Sequence, residues 1–237
     1  TIIKEAADPE FFGRLRQAII DCSPVVGSDG SRTGGLLETD PVFAEAAMNP
    51  KLMAMAEFSV GRGFLLGSMA STVREKDSTP LQLHADQAYF PEPFSAHNMM
   101  LTCCWATDEF TLENGATTVM PGTNAMLRHP DEDEIKTPKN LVSMDCPGGS
   151  IAIWDGRVWH GNAEKTTHGQ RVVLHTTYQR MVVRPNEDFT HVEDEMIEQY
   201  GKPMAQLLGK SDSIAKKDFD YVENYATFIR TTNNARF

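Results

Sequence analysis

From Thr72 to Met181 the chain is cut into short pieces, and no other feature restricts its fold as tightly. Runs of β-forming character alternate with turn clusters. The runs are Thr72-Val73-Arg74, Leu81 to Asp86, Met99 to Thr107, Ala116 to Met120, Leu141 to Met144, Ser150 to Trp154 and Arg171 to Met181. The clusters are Pro91-Glu92-Pro93, Glu113-Asn114-Gly115, Pro121-Gly122-Thr123-Asn124 and Pro147-Gly148-Gly149. Proline withdraws a backbone donor and glycine opens positive φ, so each cluster ends a strand. Strands this short must bury their faces against a second sheet, which points to a β-sandwich or jelly roll.

The flanks read as helix. Asp8-Pro9, Asp40-Pro41 and Asn49-Pro50 each set a capping side chain before a proline, the order that starts a helix. Phe11, Phe12, Leu15, Ile19 and Ile20 then recur at helical spacing, as do Leu52, Met53, Met55 and Ala56 until Gly61 and Gly63. Cys22 to Thr39, rich in glycine and serine, reads as a loop, with Val26 to Leu37 its lid-like part. Helix returns over Glu193 to Leu208, interrupted near Gly201 and Pro203, and over Ser213 to Phe228. The expected architecture is mainly β with flanking α-helices around a double-stranded β-helix (jelly-roll, cupin-like) core. It forms one domain over 1–237: N-terminal helices and lid loop in 1–70, core in 71–184, C-terminal helices in 185–237.

Charge narrows the partners. Thirty-three acidic against 22 basic side chains give a net −11 over 237 residues, which argues against nucleic acid and anionic membrane as partners. A local basic site stays open. No apolar run approaches the ~18–20 residues of a membrane span, and Thr1 to Asp21 carries charge throughout, unlike a signal peptide. Cys22, Cys103, Cys104 and Cys146 form no C-x-x-C pair, and Cys103 and Cys104 point to opposite faces of a strand. A reducing, cytoplasmic setting without a disulfide scaffold is expected.

Two short segments carry the chemistry. In Leu81-Gln82-Leu83-His84-Ala85-Asp86-Gln87, strand alternation sends Gln82, His84 and Asp86 to one face. Alone, H-x-D also describes a surface strand with a His–Asp hydrogen bond. The second segment runs Ser150 to Trp154, turns at Asp155-Gly156, and reaches His160 between Trp159 and Gly161. A buried strand explains the apolar run but not a histidine beside a glycine, where backbone or ligand can approach closely. Arg171 then opens the apolar strand Val172-Val173-Leu174, and a guanidinium there is costly to bury without an anionic partner. Two imidazoles and one carboxylate leave three positions open on an octahedral metal. That donor set suits Fe(II), Mn(II) or Co(II) and is typical of non-haem Fe(II) oxygenases. A structural zinc site would more often recruit cysteine.

The order H-x-D, then Glu113 to Asn124, then Trp154-Asp155-Gly156 through Trp159-His160-Gly161, then Arg171, resembles the phytanoyl-CoA dioxygenase family. The resemblance runs from about Thr72 to Arg184. It implies a jelly-roll oxygenase that takes Fe(II), with 2-oxoglutarate and O2 as cosubstrates. It implies that His84, Asp86 and His160 ligate iron and that Arg171 binds the distal carboxylate of 2-oxoglutarate. Thr117 resembles a position whose hydroxyl helps hold the cosubstrate, and Gln82, Asn98 and Trp105 are further candidate contacts; core packing is the other reading of Thr117 and Trp105, and a turn role that of Asn98. Asn124 stands where the family usually carries a non-ligand histidine.

The activity implied is hydroxylation, desaturation or ring closure at an unactivated C–H of a small or medium-sized organic metabolite, with release of succinate and CO2. Asp86 counts against a halogenase, in which a small residue replaces the carboxylate. No basic patch suited to a CoA diphosphate is evident, so an acyl-CoA is not the expected substrate. Tyr89 to Phe94 reads either as the lining of a pocket mouth or as a loop packed on the core. His175 shares a strand face with Arg171, Val173 and Thr177, as a core histidine or a group facing the site. Two other readings remain: a cupin-like metalloenzyme that does not use 2-oxoglutarate, and an inert metal- or ligand-binding module.

Overall fold

Proline and a capping side chain set each amino-terminal helix in the computed structural model, which describes residues 1–23, 31–87, 89–192 and 194–210. Helices α1 (Pro9–Cys22), α2 (Pro41–Ala47) and α3 (Pro50–Val60) begin at the three expected points. Asp8 accepts from the Phe11 amide, Asp40 from Val42, and Asn49 from Lys51 and Leu52. These bonds satisfy amides that have no partner inside the helix. Gly61, at φ 90°, ends α3.

Among the described residues the strands form two antiparallel sheets. The larger contains β1 (Ile2–Ile3), β2 (Ser31–Gly34), β3 (Leu65–Arg74), β4 (Met100–Ala106), β7 (Ser150–Asp155) and β9 (Arg171–Gln179), in the order β1-β7-β4-β9-β3-β2. The smaller contains β5 (Thr117–Val119), β6 (Val142–Ser143) and β8 (His160–Asn162), in the order β6-β5-β8. The architecture is a jelly roll with helices against its larger sheet.

The period-two pleat divides that sheet's side chains. Leu101, Cys103 and Trp105 of β4, with Ile151, Ile153 and Leu174, pack into one core with residues of α1 to α3. Trp105 is fully buried there, its ring 5.4 Å from Phe11 and 5.6 Å from Phe12. The alternate residues Cys104, Ala106, Ala152, Trp154 and Val173 turn inward and pack with Phe110, Ala116, Met144 and Cys146.

Several elements differ from the sequence reading. Strand β3 begins at Leu65, well before Thr72, and Ser31–Gly34 lies in the span read as a loop yet pairs with Ala70–Val73. Its sequence Ser-Arg-Thr-Gly has no apolar alternation; what recruits it is the unpaired edge of β3. Residues 24–30 of that span, which include the start of the expected lid, lie outside the described residues, as do residue 193 and the helix expected over Ser213 to Phe228. Leu81 to Asp86 is not a strand and keeps a single bridge, His84 to His160. The acidic run at Asp131 starts α4 (Glu132–Lys136) through a capping box between Asp131 and Glu134. Helices α5 (Asp194–Tyr200) and α6 (Lys202–Leu207) divide at Gly201, as expected. No helix among the described residues is long and apolar enough to cross a membrane.

Candidate metal centre

Strand β8 delivers His160 and holds the H-x-D segment beside it. The His84 amide donates to the His160 carbonyl at 2.9 Å, the His160 amide to the His84 carbonyl at 2.8 Å, and the Asn162 amide to the Leu81 carbonyl at 3.0 Å. Gly161 permits this approach: a Cβ there would stand 2.5 Å from the Leu81 carbonyl oxygen. The expectation that glycine beside the histidine admits a close neighbour therefore has its cause in the Leu81 backbone. Beyond the bridge, Leu83 and Ala85 pack with Phe94 and Trp159. That anchoring turns His84 and Asp86 toward His160 without a regular strand.

The donor atoms of His84, Asp86 and His160 all lie within 4.8 Å of one another. His160 Nε2 is 3.4 Å and His84 Nε2 3.7 Å from Asp86 Oδ1. In both histidines Nδ1 stands 2.9 Å from a backbone carbonyl two residues upstream, Gln82 for His84 and Val158 for His160. A carbonyl only accepts, so Nδ1 carries the hydrogen and Nε2 keeps its lone pair for a ligand role. Asp86 is divided in the same way. Oδ2 accepts from Thr102 Oγ1 at 2.6 Å and from Trp154 Nε1 at 3.0 Å, which leaves Oδ1 for the centre.

Electrostatics favour a cation here. Burial works to raise the Asp86 pKa, but the neighbouring His160, the close approach of both imidazoles and the hydrogen bond from Thr102 outweigh it and hold the carboxyl well below its usual range. Burial likewise lowers His160, and the Asp86 carboxylate more than reverses it. Two imidazole lone pairs and a carboxylate oxygen repel one another unless a proton or a metal ion lies among them. The N2O donor set, with no cysteine in the cluster, fits Fe(II), Mn(II) or Co(II).

The triad opens onto a cavity of about 210 Å3, whose wall also includes Thr117, Asn162, Trp154 and Arg171. Arg171 is 1% exposed. Its Nη1 donates to the Gly115 carbonyl at 2.6 Å, its guanidinium carbon lies 5.4 Å from the Phe110 ring, and its Nε is buried without a partner. Burial pulls its pKa down to about 10, so it stays protonated at neutral pH. A buried cation with an unmet donor calls for an anion. Thr117 Oγ1 accepts from Asn162 Nδ2 at 3.4 Å.

Gln82, Asn98 and Trp105 do not line the cavity. The Gln82 side chain is exposed, and its carbonyl serves His84. Asn98 donates to Ser59 Oγ at 2.8 Å and accepts from the Met100 amide, joining β4 to α3. Trp105 faces the helices because its strand neighbours Thr102 and Cys104 face inward. Asn124 also lies off the wall, and Phe94 packs on Leu83 and Trp159 rather than at a mouth. His175 does face the site. Thr102 and Trp154 are support residues that sequence reasoning missed. They are directly opposed across β4 and β7, and the one available signal was an indole, which only donates, on an inward strand position.

The family model for phytanoyl-CoA dioxygenase (PhyH) matches residues 22–173, well over half the chain. Dioxygenase af480 of Aspergillus fumigatus is 26% identical over 211 residues, covering 87% of this chain and 66% of that protein. The chain thus spans just under two thirds of that relative's length. Among solved structures, HygX from Streptomyces hygroscopicus with nickel, 2-oxoglutarate and hygromycin B bound superposes with a TM-score of 0.67 at 16% identity, covering 78% of this chain and 84% of that one. The epimerase SnoN in complex with Fe3+, alpha ketoglutarate and nogalamycin RO gives a TM-score of 0.65 at 20% identity, covering 81% of this chain and 86% of that one. At these identities the two structures establish the shared fold.

Proposed function

The chain belongs to the phytanoyl-CoA dioxygenase family, and on that premise we propose that it is an Fe(II)- and 2-oxoglutarate-dependent oxygenase of a small organic metabolite. One observation carries the reading: the triad and the buried, incompletely partnered Arg171 open onto the same cavity. His84, Asp86 and His160 would hold the iron through two Nε2 atoms and Oδ1. Arg171 would hold the distal carboxylate of 2-oxoglutarate with the donor it leaves unused, and Thr117 would stand beside it. With Fe(II), 2-oxoglutarate and O2 bound, the site supplies oxidative decarboxylation to succinate and CO2 coupled to hydroxylation, desaturation or ring closure at a C–H bond.

The chain's own part is positional. The Gln82 and Val158 carbonyls fix the two imidazoles in one tautomer, and Thr102 and Trp154 keep Asp86 to one free oxygen. The Trp154 indole also covers the triad on the sheet side, 5.0 Å from the His160 ring, where it excludes water. The partner is a small molecule, with no nucleic acid or membrane involved. The cytoplasmic setting belongs to the same proposal, and four free cysteines, three of them buried, suit a reducing compartment.

Anaerobic protein given Fe(II) should develop a weak visible charge-transfer band when 2-oxoglutarate is added. His160→Ala should abolish the band, and Arg171→Ala should weaken 2-oxoglutarate binding more than iron binding. An iron-loaded protein with no band would overturn the cosubstrate and favour a cupin-like enzyme that does not use it.

A further inference from the structure

The register of the larger sheet arranges the cavity wall in rows. Arg32 of β2 is opposite Thr72 of β3, which is opposite Val173 of β9. The next inward row is Gly34, Ala70 and His175, and the one after it is Ser68, Thr177, Thr102 and Trp154. The middle row is bare toward the β2 edge, since Gly34 has no side chain and Ala70 has only a methyl. On one side of this step stands a guanidinium. On the other stand the hydroxyls of Ser68 and Thr177, 2.9 Å apart, and then the two donors that hold Asp86.

Charge gives the step a direction. Besides Asp86, no acidic residue among the described residues lines this cavity, whereas Arg32, Arg74 and Arg171 all do. If 2-oxoglutarate binds as proposed above, its distal carboxylate answers Arg171, and Asp86 with the other carboxylate offsets the two charges of the metal. Arg74 is engaged by the Thr79 carbonyl at 2.6 Å. Arg32 is the remaining cation, and its guanidinium has no ion pair or hydrogen bond among the described residues. His175 adds no charge, because burial, Arg171 and Arg32 push its pKa down to about 3. The positive wall runs against the net −11 of the whole chain. It is invisible as a basic run because each arginine comes from a different strand.

We propose, on the oxygenase reading above, that the substrate is a small carboxylic acid whose carboxylate is held by Arg32 and whose carbon skeleton lies over the step at Gly34 and Ala70 toward the metal ligands. Inward residues two apart on a strand stand ~6.7 Å from each other, so the Arg32 row and the row that holds Asp86 are about 13 Å apart. Arg32 is exposed on the edge strand β2, so its guanidinium stands at the rim of the cavity and leaves room for a chain of a few carbons before the metal. A guanidinium without a partner among the described residues suits a carboxylate, and the hydroxyls of Ser68 and Thr177 suit a polar substituent along the skeleton.

The test is direct binding. Protein loaded with Zn(II) and N-oxalylglycine, which fill the metal and cosubstrate positions without turnover, is screened by ligand-observed NMR. The probes are aliphatic and aromatic carboxylic acids with the alcohols and amines of the same skeletons. Acids should bind at least tenfold more tightly than their matched alcohols and amines. Arg32→Gln should remove that preference, Arg32→Lys should restore part of it, and replacing Zn(II) by Mn(II) should broaden the bound acids by paramagnetic relaxation. Acids that bind no better than alcohols, an acid preference that survives in Arg32→Gln, or no binding by any probe would overturn the proposal. Failure of the 2-oxoglutarate band in the wild-type protein is a separate result and strikes the oxygenase reading instead.

Discussion

Asp86 spends one oxygen on the protein so that the other can face a metal. Its Oδ2 is taken by Thr102 and Trp154, both neutral donors. They lower the carboxyl's basicity less than a cation would, and they set the direction in which Oδ1 points. Thr102→Val keeps the shape of the side chain and deletes the 2.6 Å bond. Support contacts of this kind typically govern ~10–100-fold in metal affinity. A competition titration with Fe(II) or Mn(II) should therefore show a loss in that range, with the fold intact by circular dichroism. Unchanged affinity would remove Thr102 from the centre. That His84, Asp86, His160 and Arg171 come to one cavity was readable in the sequence because histidine, aspartate and a buried arginine carry their chemistry in the residue type. Thr102 was not, since an inward threonine acquires this role only through register with Trp154.

At the scale of elements, the short strand β8 and the H-x-D segment depend on one another. Gly161 is the point of contact, and a methyl there would meet the Leu81 carbonyl oxygen at 2.5 Å. Backbone rather than a flexible side chain stands in the way, so Gly161→Ala must part the two segments. We expect a stability loss of about 1–3 kcal/mol from urea unfolding, and a larger loss of metal affinity than in Thr102→Val because two ligands move apart. Metal affinity equal to wild type would show that the bridge does not position His84. This pairing also explains where sequence reading stopped. Helices α1 to α3 were plain because their caps and prolines act within one turn, and β4, β7 and β9 because each contains an apolar run, 103–106, 151–154 and 172–174. The H-x-D segment alternates like a strand but has its partner at His160, far along the chain, and β2 has no pattern of its own to read. Gln82, expected on the ligand face, is exposed for the same reason: a face can be assigned only once the neighbour that defines it is known.

For the molecule as a whole, folding draws arginines from separate strands around His175 inside a chain of net charge −11. The chain as a whole is acidic, while the wall of this cavity carries arginines. His175 reports that interior. Its ordinary value of 6.5 falls to about 3 through burial first and Arg171 next. A group depressed on folding contributes its full stability above its unfolded pKa. Below about 6.5 the unfolded chain takes up a proton that the folded one refuses, so stability is lost as pH falls toward 3. The slope for one such group is about 1.4 kcal/mol per pH unit. Urea midpoints measured between about pH 7 and pH 5 should therefore fall more steeply for wild type than for His175→Gln. Titrating groups remote from His175 are common to both proteins and cancel in the difference. Parallel pH profiles would mean that His175 ionises freely in the folded state, and the positive interior inferred for this cavity would not stand.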